Sequence, residues 1–319
     1  MNNRNFRQML EAQWSRGNFV CVGLDSKFGK IPECVVRGVM DDPRRGPESL
    51  RGDRLATECI VAFNHAIVEA TRDIVCAYKP NPAFYEAHGD EGIGALQRTI
   101  ADIQRLAPDV PVVLDAKRAD IGNTNAGYVD AAFGFLRADA ITVHPYLGAE
   151  ALQPFLARAE KGVIVLCRTS NPGAGEFQDQ HVYLTEEECQ ALFYNEFTGE
   201  CTRDIPNDPI TMPLYQYVAL RVANHWNKNG NCALVVGATY PDELREVREI
   251  VGDMPILIPG IGAQGGDVEK TVSAGKDSRG QGIIVNSSRG IIFASKGADF
   301  AEATRRETEN LRDLINQYR

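Results

Sequence analysis

The sequence predicts a (β/α)8 barrel with two loop insertions, on three observations. Eight short, β-branched apolar runs recur along the 319 residues. Segments of helical spacing lie between them. Most of the runs are continuous rather than alternating, as suits parallel strands buried on both faces. Eight strand–helix units in about 300 residues fill one closed barrel.

The first run, 19–25, ends on Asp25. The stretch 27–53, with Asp-Asp-Pro-Arg-Arg-Gly-Pro inside it, is too long for an ordinary connection and reads as an insertion. Helical spacing over 54–72 leads to the second run, 73–79, which ends on Lys79. A helical segment over 92–107, stopped by Pro108, precedes the third run, 111–117, which ends on Asp115-Ala116-Lys117. Helical spacing at 124–136 and 150–159 brackets the fourth run, 138–144, ending on His144, and the fifth run, 162–168, ends on Arg168. The second insertion, 173–213, follows. The last three runs are 232–239, 255–259 and 282–287, ending on Thr239, Pro259 and Ser287. Helical segments at 215–227, 242–251 and 300–318 complete the series. A doubly wound open sheet is the alternative that pattern alone leaves open, and the count of eight favours the TIM barrel. There is no internal repeat, low-complexity tract or linker, so one domain over 1–319 is expected.

Hydrophobic content of 44% and charged content of 24% are ordinary for a globular chain, and the net charge is −9. That charge speaks against nonspecific partners such as nucleic acid or an anionic membrane, and an anionic ligand would need a local cationic pocket. The eight cysteines are scattered singly, with no CxxC or Cys/His cluster, so no metal site is expected. Cys21, Cys76, Cys167 and Cys232 fall inside apolar runs, where cysteine acts as a small core residue. Residues 1–16 are polar and amphipathic, and no run reaches about 18 apolar residues. A reduced, cytoplasmic protein is the expectation.

In a barrel, function gathers where strands end. Asp115-Ala116-Lys117-Arg118-Ala119-Asp120 brings three charges of a reactive kind to one such end. Burying them is costly unless they are paired or used, so the cluster is a candidate reaction centre or a structural ion-pair network. A second signal is Pro259-Gly260-Ile261-Gly262-Ala263-Gln264-Gly265-Gly266, four glycines in seven residues leaving the seventh strand. Exposed backbone N–H groups there, followed by Ser288-Arg289-Gly290 after the eighth strand, suit a phosphate, although tight turns alone would also explain the glycines.

These motifs, together with Val22-Gly23-Leu24-Asp25, Tyr78-Lys79-Pro80-Asn81 and Arg168-Thr169-Ser170-Asn171-Pro172-Gly173-Ala174, occur in an order that closely resembles the orotidine 5′-phosphate decarboxylase family. Length and insertions are similar to its longer bacterial branch. The resemblance implies loss of CO2 from orotidine 5′-phosphate to give UMP, the last step of de novo pyrimidine nucleotide synthesis, with no metal and no organic cofactor. It implies that Lys117 protonates the ring carbon and that Asp115 faces the departing carboxylate. Lys79 and Asp120 then complete an alternating Lys–Asp–Lys–Asp network. It assigns Asp25 and Thr124 to the ribose, Ser170 to the pyrimidine, and Gln264 and Arg289 to the phosphate, with Pro259 beside them and the loop 260–266 closing as a lid. It also implies a homodimer in which Asp120 and Thr124 complete the partner's site.

Two other functions fit parts of the pattern. A Mg-dependent sugar-phosphate lyase of the same superfamily shares Asp-x-Lys-x-x-Asp, and a non-catalytic barrel could bind a phosphate ligand. His144, before Pro145, reads as a packed or hydrogen-bonded histidine rather than a catalytic one.

Overall fold

The computed structural model describes residues 4–43, 51–186, 188–189, 194–195, 200–201, 210–261 and 267–319. Eight parallel strands form its centre: β1 (Val20–Leu24), β2 (Ala77–Pro80), β3 (Val113–Arg118), β4 (Ala140–Val143), β5 (Gly162–Arg168), β6 (Cys232–Val236), β7 (Ile256–Pro259) and β8 (Ile283–Ser287). Each lies at or within one predicted run, apart from one residue at the ends of β2 and β3. Their order around the sheet is β2-β1-β8-β7-β6-β5-β4-β3. The two ends meet, because Tyr78 of β2 forms a parallel bridge with Val112 and its N–H donates to Pro111 O at 3.1 Å. The sheet is therefore a barrel and not an open doubly wound layer.

Continuous apolar runs make this possible. Every residue of β1, β2, β4, β6 and β8 is buried, as strands covered by side chains inside and helices outside must be. The long helices supply that cover with one apolar stripe each. Asp53–Thr71 buries Cys59, Ile60, Phe63 and Ile67, and Gly89–Leu106 buries Leu96, Ile100 and Ile103. The N-terminal helix Phe6–Ser15 is capped by Asn5, whose side chain accepts from Gln8 N. Its Phe6 lies so close to Gly162 that a Cβ there would stand 2.3 Å from the ring. Glycine thus opens β5 because the helix needs the space. Cys21, Cys167 and Cys232 are buried in strands, and Cys76 is buried just before β2.

The stretches expected as insertions carry structure of their own. The first holds the helix Glu33–Met40. In the second, His181–Tyr183 pairs antiparallel with Thr211–Pro213, and Tyr194–Asn195 with Glu200–Cys201. Arg168 anchors the second insertion at the end of β5. It is 3% exposed, donates to Asp179 Oδ2 at 3.2 Å, and lies 4.0 Å from the ring centre of Tyr240. Among the described residues, no helix is long and apolar enough to cross a membrane.

Candidate active site

A cavity of about 340 Å³ opens at the C-terminal rim of the barrel, lined by residues from β1, β2, β3, β7 and β8 and the loops that follow them. Its charged wall is built by β2 and β3. Lys79 Nζ donates to Asp115 Oδ2 at 2.7 Å, and Lys117 Nζ donates to Asp115 Oδ1 at 2.6 Å. Lys79 and Asp115 are nearly enclosed, whereas the Lys117 side chain is 48% exposed and so is the member that faces out.

Burial opposes the charge of Asp115, but the ammonium groups of Lys79 and Lys117 outweigh it and hold the carboxyl well below the usual range. Burial likewise opposes the charge of Lys79, and the carboxylates of Asp115 and Asp25 overcome it, leaving the amine above its ordinary value. Asp115 and Lys79 thus form a fixed charged pair in the resting protein, with Lys117 Nζ on the second carboxylate oxygen. Cys21 lies close enough to feel these charges; burial, only partly offset by Lys79, pushes its thiol up to about 12, so it stays neutral.

The backbone gives Lys117 its direction. Leu114 pairs with Ile141 and Arg118 with Val143, so four steps along β3 match two along β4. The surplus forms a bulge over Asp115–Lys117, and Lys117 takes φ 48° within it. A non-glycine residue in that region is strained by about 1–2 kcal/mol, which the surroundings must offset. A regular strand would aim the lysine elsewhere.

The part of the cavity lined from β1 and β8 is unfinished in a different sense. Asp25 Oδ1 and Asn286 Oδ1 are buried with no hydrogen-bond partner among the described residues. Arg289 is exposed at the cavity edge, with no carboxylate partner among those residues. Two acceptors without donors and a cation without an anion are the complement of a ligand carrying hydroxyls and a negative group.

Of the predicted site residues, Asp25, Lys79, Asp115, Pro259 and Arg289 line the cavity, and Lys117 joins it through Asp115. Ser170 follows β5 and packs so tightly on Gly237 that a Cβ there would lie 2.7 Å from its own. Asp120 and Thr124 are not joined to the Lys79–Asp115–Lys117 array. Asp120 Oδ1 accepts from Ile121 N at 2.6 Å, and the buried Asn125 holds the turn through Asp120 N and Asp120 O. Thr124 is exposed on the helix Gly122–Val129. Gln264 and the loop 262–266 lie outside the described residues. His144 lines a different groove, where its Nδ1 accepts from Tyr146 N at 3.3 Å.

Sequence reasoning passed over Gly237, Asn286 as a lining residue, and Thr142. Gly23 appeared only as part of a motif. A Cβ on it would stand 2.7 Å from the Cβ of Ser288, whose hydroxyl donates to Gly23 O. Thr142 had a visible signal, a polar residue within the apolar run Ala140-Ile141-Thr142-Val143.

Comparison with known proteins agrees with this geometry. A family model described as orotidine 5′-phosphate decarboxylase / HUMPS family matches residues 53–196. An orotidine 5′-phosphate decarboxylase of Ralstonia pickettii (strain 12J) is 45% identical, over 98% of this chain and 99% of its own length. Among solved structures, the OMP decarboxylase of Leishmania donovani superimposes with a TM-score of 0.71 at 32% identity, covering 98% of this chain and 99% of that one. The UMP synthase of the same organism gives 0.74 at 34% identity, over 99% of this chain and 56% of that chain. With near-complete coverage on both sides, and a charged array on β2 and β3 where the motifs placed it, this chain belongs to the orotidine 5′-phosphate decarboxylase family.

Proposed function

We propose that the chain converts orotidine 5′-phosphate to UMP and CO2, the closing step of de novo pyrimidine nucleotide synthesis, as one barrel domain over 1–319. The observation that carries this is the pairing of opposites across one cavity. A saturated Lys79–Asp115–Lys117 array shares the cavity with acceptors and an Arg289 that lack partners among the described residues. A nucleoside monophosphate supplies ribose hydroxyls for Asp25 and a phosphate for Arg289, and that places its base toward the array.

The chemistry then follows from charge. The bond from the ring carbon to the carboxylate breaks, CO2 departs, and the electron pair stays on the ring carbon in the plane of the ring, out of reach of the π system. Only preorganised charge can stabilise it, commonly the largest contribution in catalysis. Lys117, the exposed member of the array, stands over that carbon as a cation and transfers an Nζ proton to it. Asp115, kept ionised by two lysines, lies beside the departing carboxylate, and their repulsion falls as CO2 leaves. Pro259 borders the cavity near the phosphate, and Ser170 and Gln264 take the base and phosphate roles that the family motif assigns to them.

Asp120 and Thr124 are not bonded to their own array, which supports a homodimer in which each completes the partner's site. Ile121, Tyr146 and Leu147 are exposed on loops that follow the strands, Phe177 is exposed on the short helix Gly175–Gln178, and Tyr146 and Phe177 share one largely apolar groove of about 560 Å³. A cytoplasmic setting suits a substrate of this kind.

The direct test follows the loss of orotidine-phosphate absorbance by the purified chain, with and without a chelator. Turnover that survives the chelator is expected. No turnover sinks the reading, and chelator-sensitive cleavage of a sugar phosphate in its place points to the Mg-dependent lyase. The dimer has its own test. Lys117→Ala and Asp120→Ala chains, each inactive alone, should regain about a quarter of wild-type activity when refolded together. Half of randomly paired dimers are then mixed, and each carries one complete site. A mixture as inactive as its parents contradicts the shared site.

A further inference from the structure

The bulge that aims Lys117 is held from the neighbouring strand by a residue outside the family motifs quoted above. Thr142 is the third residue of β4 and is 1% exposed. It stands opposite the surplus residues of β3, between the pairs Leu114–Ile141 and Arg118–Val143. Its hydroxyl makes two hydrogen bonds of opposite sense. Thr142 Oγ1 accepts from the Lys117 N–H at 2.9 Å, and it donates to Asp115 Oδ1 at 3.0 Å. One hydroxyl can do both; a valine of the same shape can do neither.

We propose that Thr142 is a positioning residue for the decarboxylation. Its hydroxyl clamps the β3 bulge at Lys117 N and at the Asp115 carboxylate together, and so sets where the proton donor and the repelling carboxylate stand. The inference rests on the decarboxylase reading above. Thr142 is not among the residues lining the cavity; it acts on the substrate through its two partners. The left-handed backbone of Lys117 gives the clamp its purpose, because a strained conformation persists only where its surroundings over-determine it. The Lys117 N–H finds its acceptor in Thr142, and Asp115 Oδ1, already bound by Lys117 Nζ, is fixed by a second donor. Without the hydroxyl, the lysine keeps its charge but loses its aim.

Misplacement and loss of binding give different kinetics. On the proposed reading phosphate and ribose are held from β1, β7 and β8, none of which pairs with β3, so KM should barely move while kcat falls. Thr142→Val is expected to lower kcat on the order of 10- to 100-fold, the scale of a misplacement near 1 Å. Its KM and its affinity for UMP should stay within about threefold of wild type, a change too small to remove a charged contact. Thr142→Ser restores both hydrogen bonds and should recover kcat to within about threefold. Rates are referred to sites counted by UMP binding, so a loss of folded protein does not imitate the effect. Should the valine chain not fold, Thr142→Ala removes the same hydroxyl and carries the same comparison with Thr142→Ser. A hydroxyl-free variant with wild-type kcat per site, or a serine variant as slow as the hydroxyl-free one, overturns the proposal. A wild-type chain without turnover overturns the decarboxylase reading instead, so the two failures are distinct.

Discussion

The two walls of the cavity reach their resting states by opposite routes. On the β2–β3 wall, Asp115 is claimed on both oxygens by lysines at 2.7 and 2.6 Å, and both contacts are made within one chain. On the wall formed from β8 and β1, Arg289 stands exposed, and Asp25 Oδ1 is buried without a donor among the described residues. The closed wall has its charges placed before any ligand arrives. Such preorganisation serves a transition state, since no reorganisation is needed during reaction. The open wall has unmet capacity and serves binding. Binding energy gathered there, remote from the reacting carbon, can be used to hold the base against the array.

The largest test of this contrast is Lys117→Ala. It should lower turnover by about 10³-fold or more, because the proton donor and the main stabilising charge are lost together. UMP binding, measured by calorimetry, should stay within about tenfold, since the open wall is untouched. Turnover within tenfold of wild type would contradict the assigned role. Arg289→Ala strikes the other wall. A charge-assisted contact of about 2–3 kcal/mol corresponds to a loss of roughly 30- to 150-fold in kcat/KM. UMP affinity should fall with it, whereas affinity for the unphosphorylated nucleoside should not. Equal losses for nucleotide and nucleoside would show that Arg289 does not read the phosphate.

The closed wall was largely legible in the sequence, and the open wall only in part. Continuous apolar runs located all eight strands because burial on both faces leaves that signature, and the charges of Lys79, Asp115 and Lys117 stood out at strand ends. The bulge was not legible. A period-two reading assumes a regular ladder, and only the pairing of β3 with β4 reveals the surplus residues. Thr142 gains its meaning from that same pairing. Gly23 and Gly237 are explained by Ser288 and Ser170, contacts that arise only when distant segments meet. The helix Glu33–Met40 was absorbed into an insertion because Pro32 and the polar stretch after it dominate the local pattern. Asp120 shows a limit of another kind. Its motif position is clear, yet within one chain its carboxylate turns to Ile121 N, so the role proposed for it calls for a second copy.

The smallest expected effect separates the walls by pH. Asp115 has a lowered value in the folded chain, so its contribution is full above the ordinary carboxylate value near 4 and is lost as pH falls through the folded one. Lys79 has a raised value, so its contribution is full below the ordinary lysine value near 10.4 and is lost as pH rises through the folded one. Between about pH 5 and 9 this pair changes neither charge nor contribution. The ligand of the open wall behaves otherwise, because a phosphate monoester dianion takes up a proton near pH 6. If Arg289 and its neighbours select the dianion, KM should rise about tenfold from pH 7 to pH 5, while kcat at saturation stays level. Steady-state rates across that range decide the matter. A kcat that falls in step with the rise in KM would mean that the array itself titrates, and the division between a preset catalytic wall and a ligand-completed binding wall would not stand.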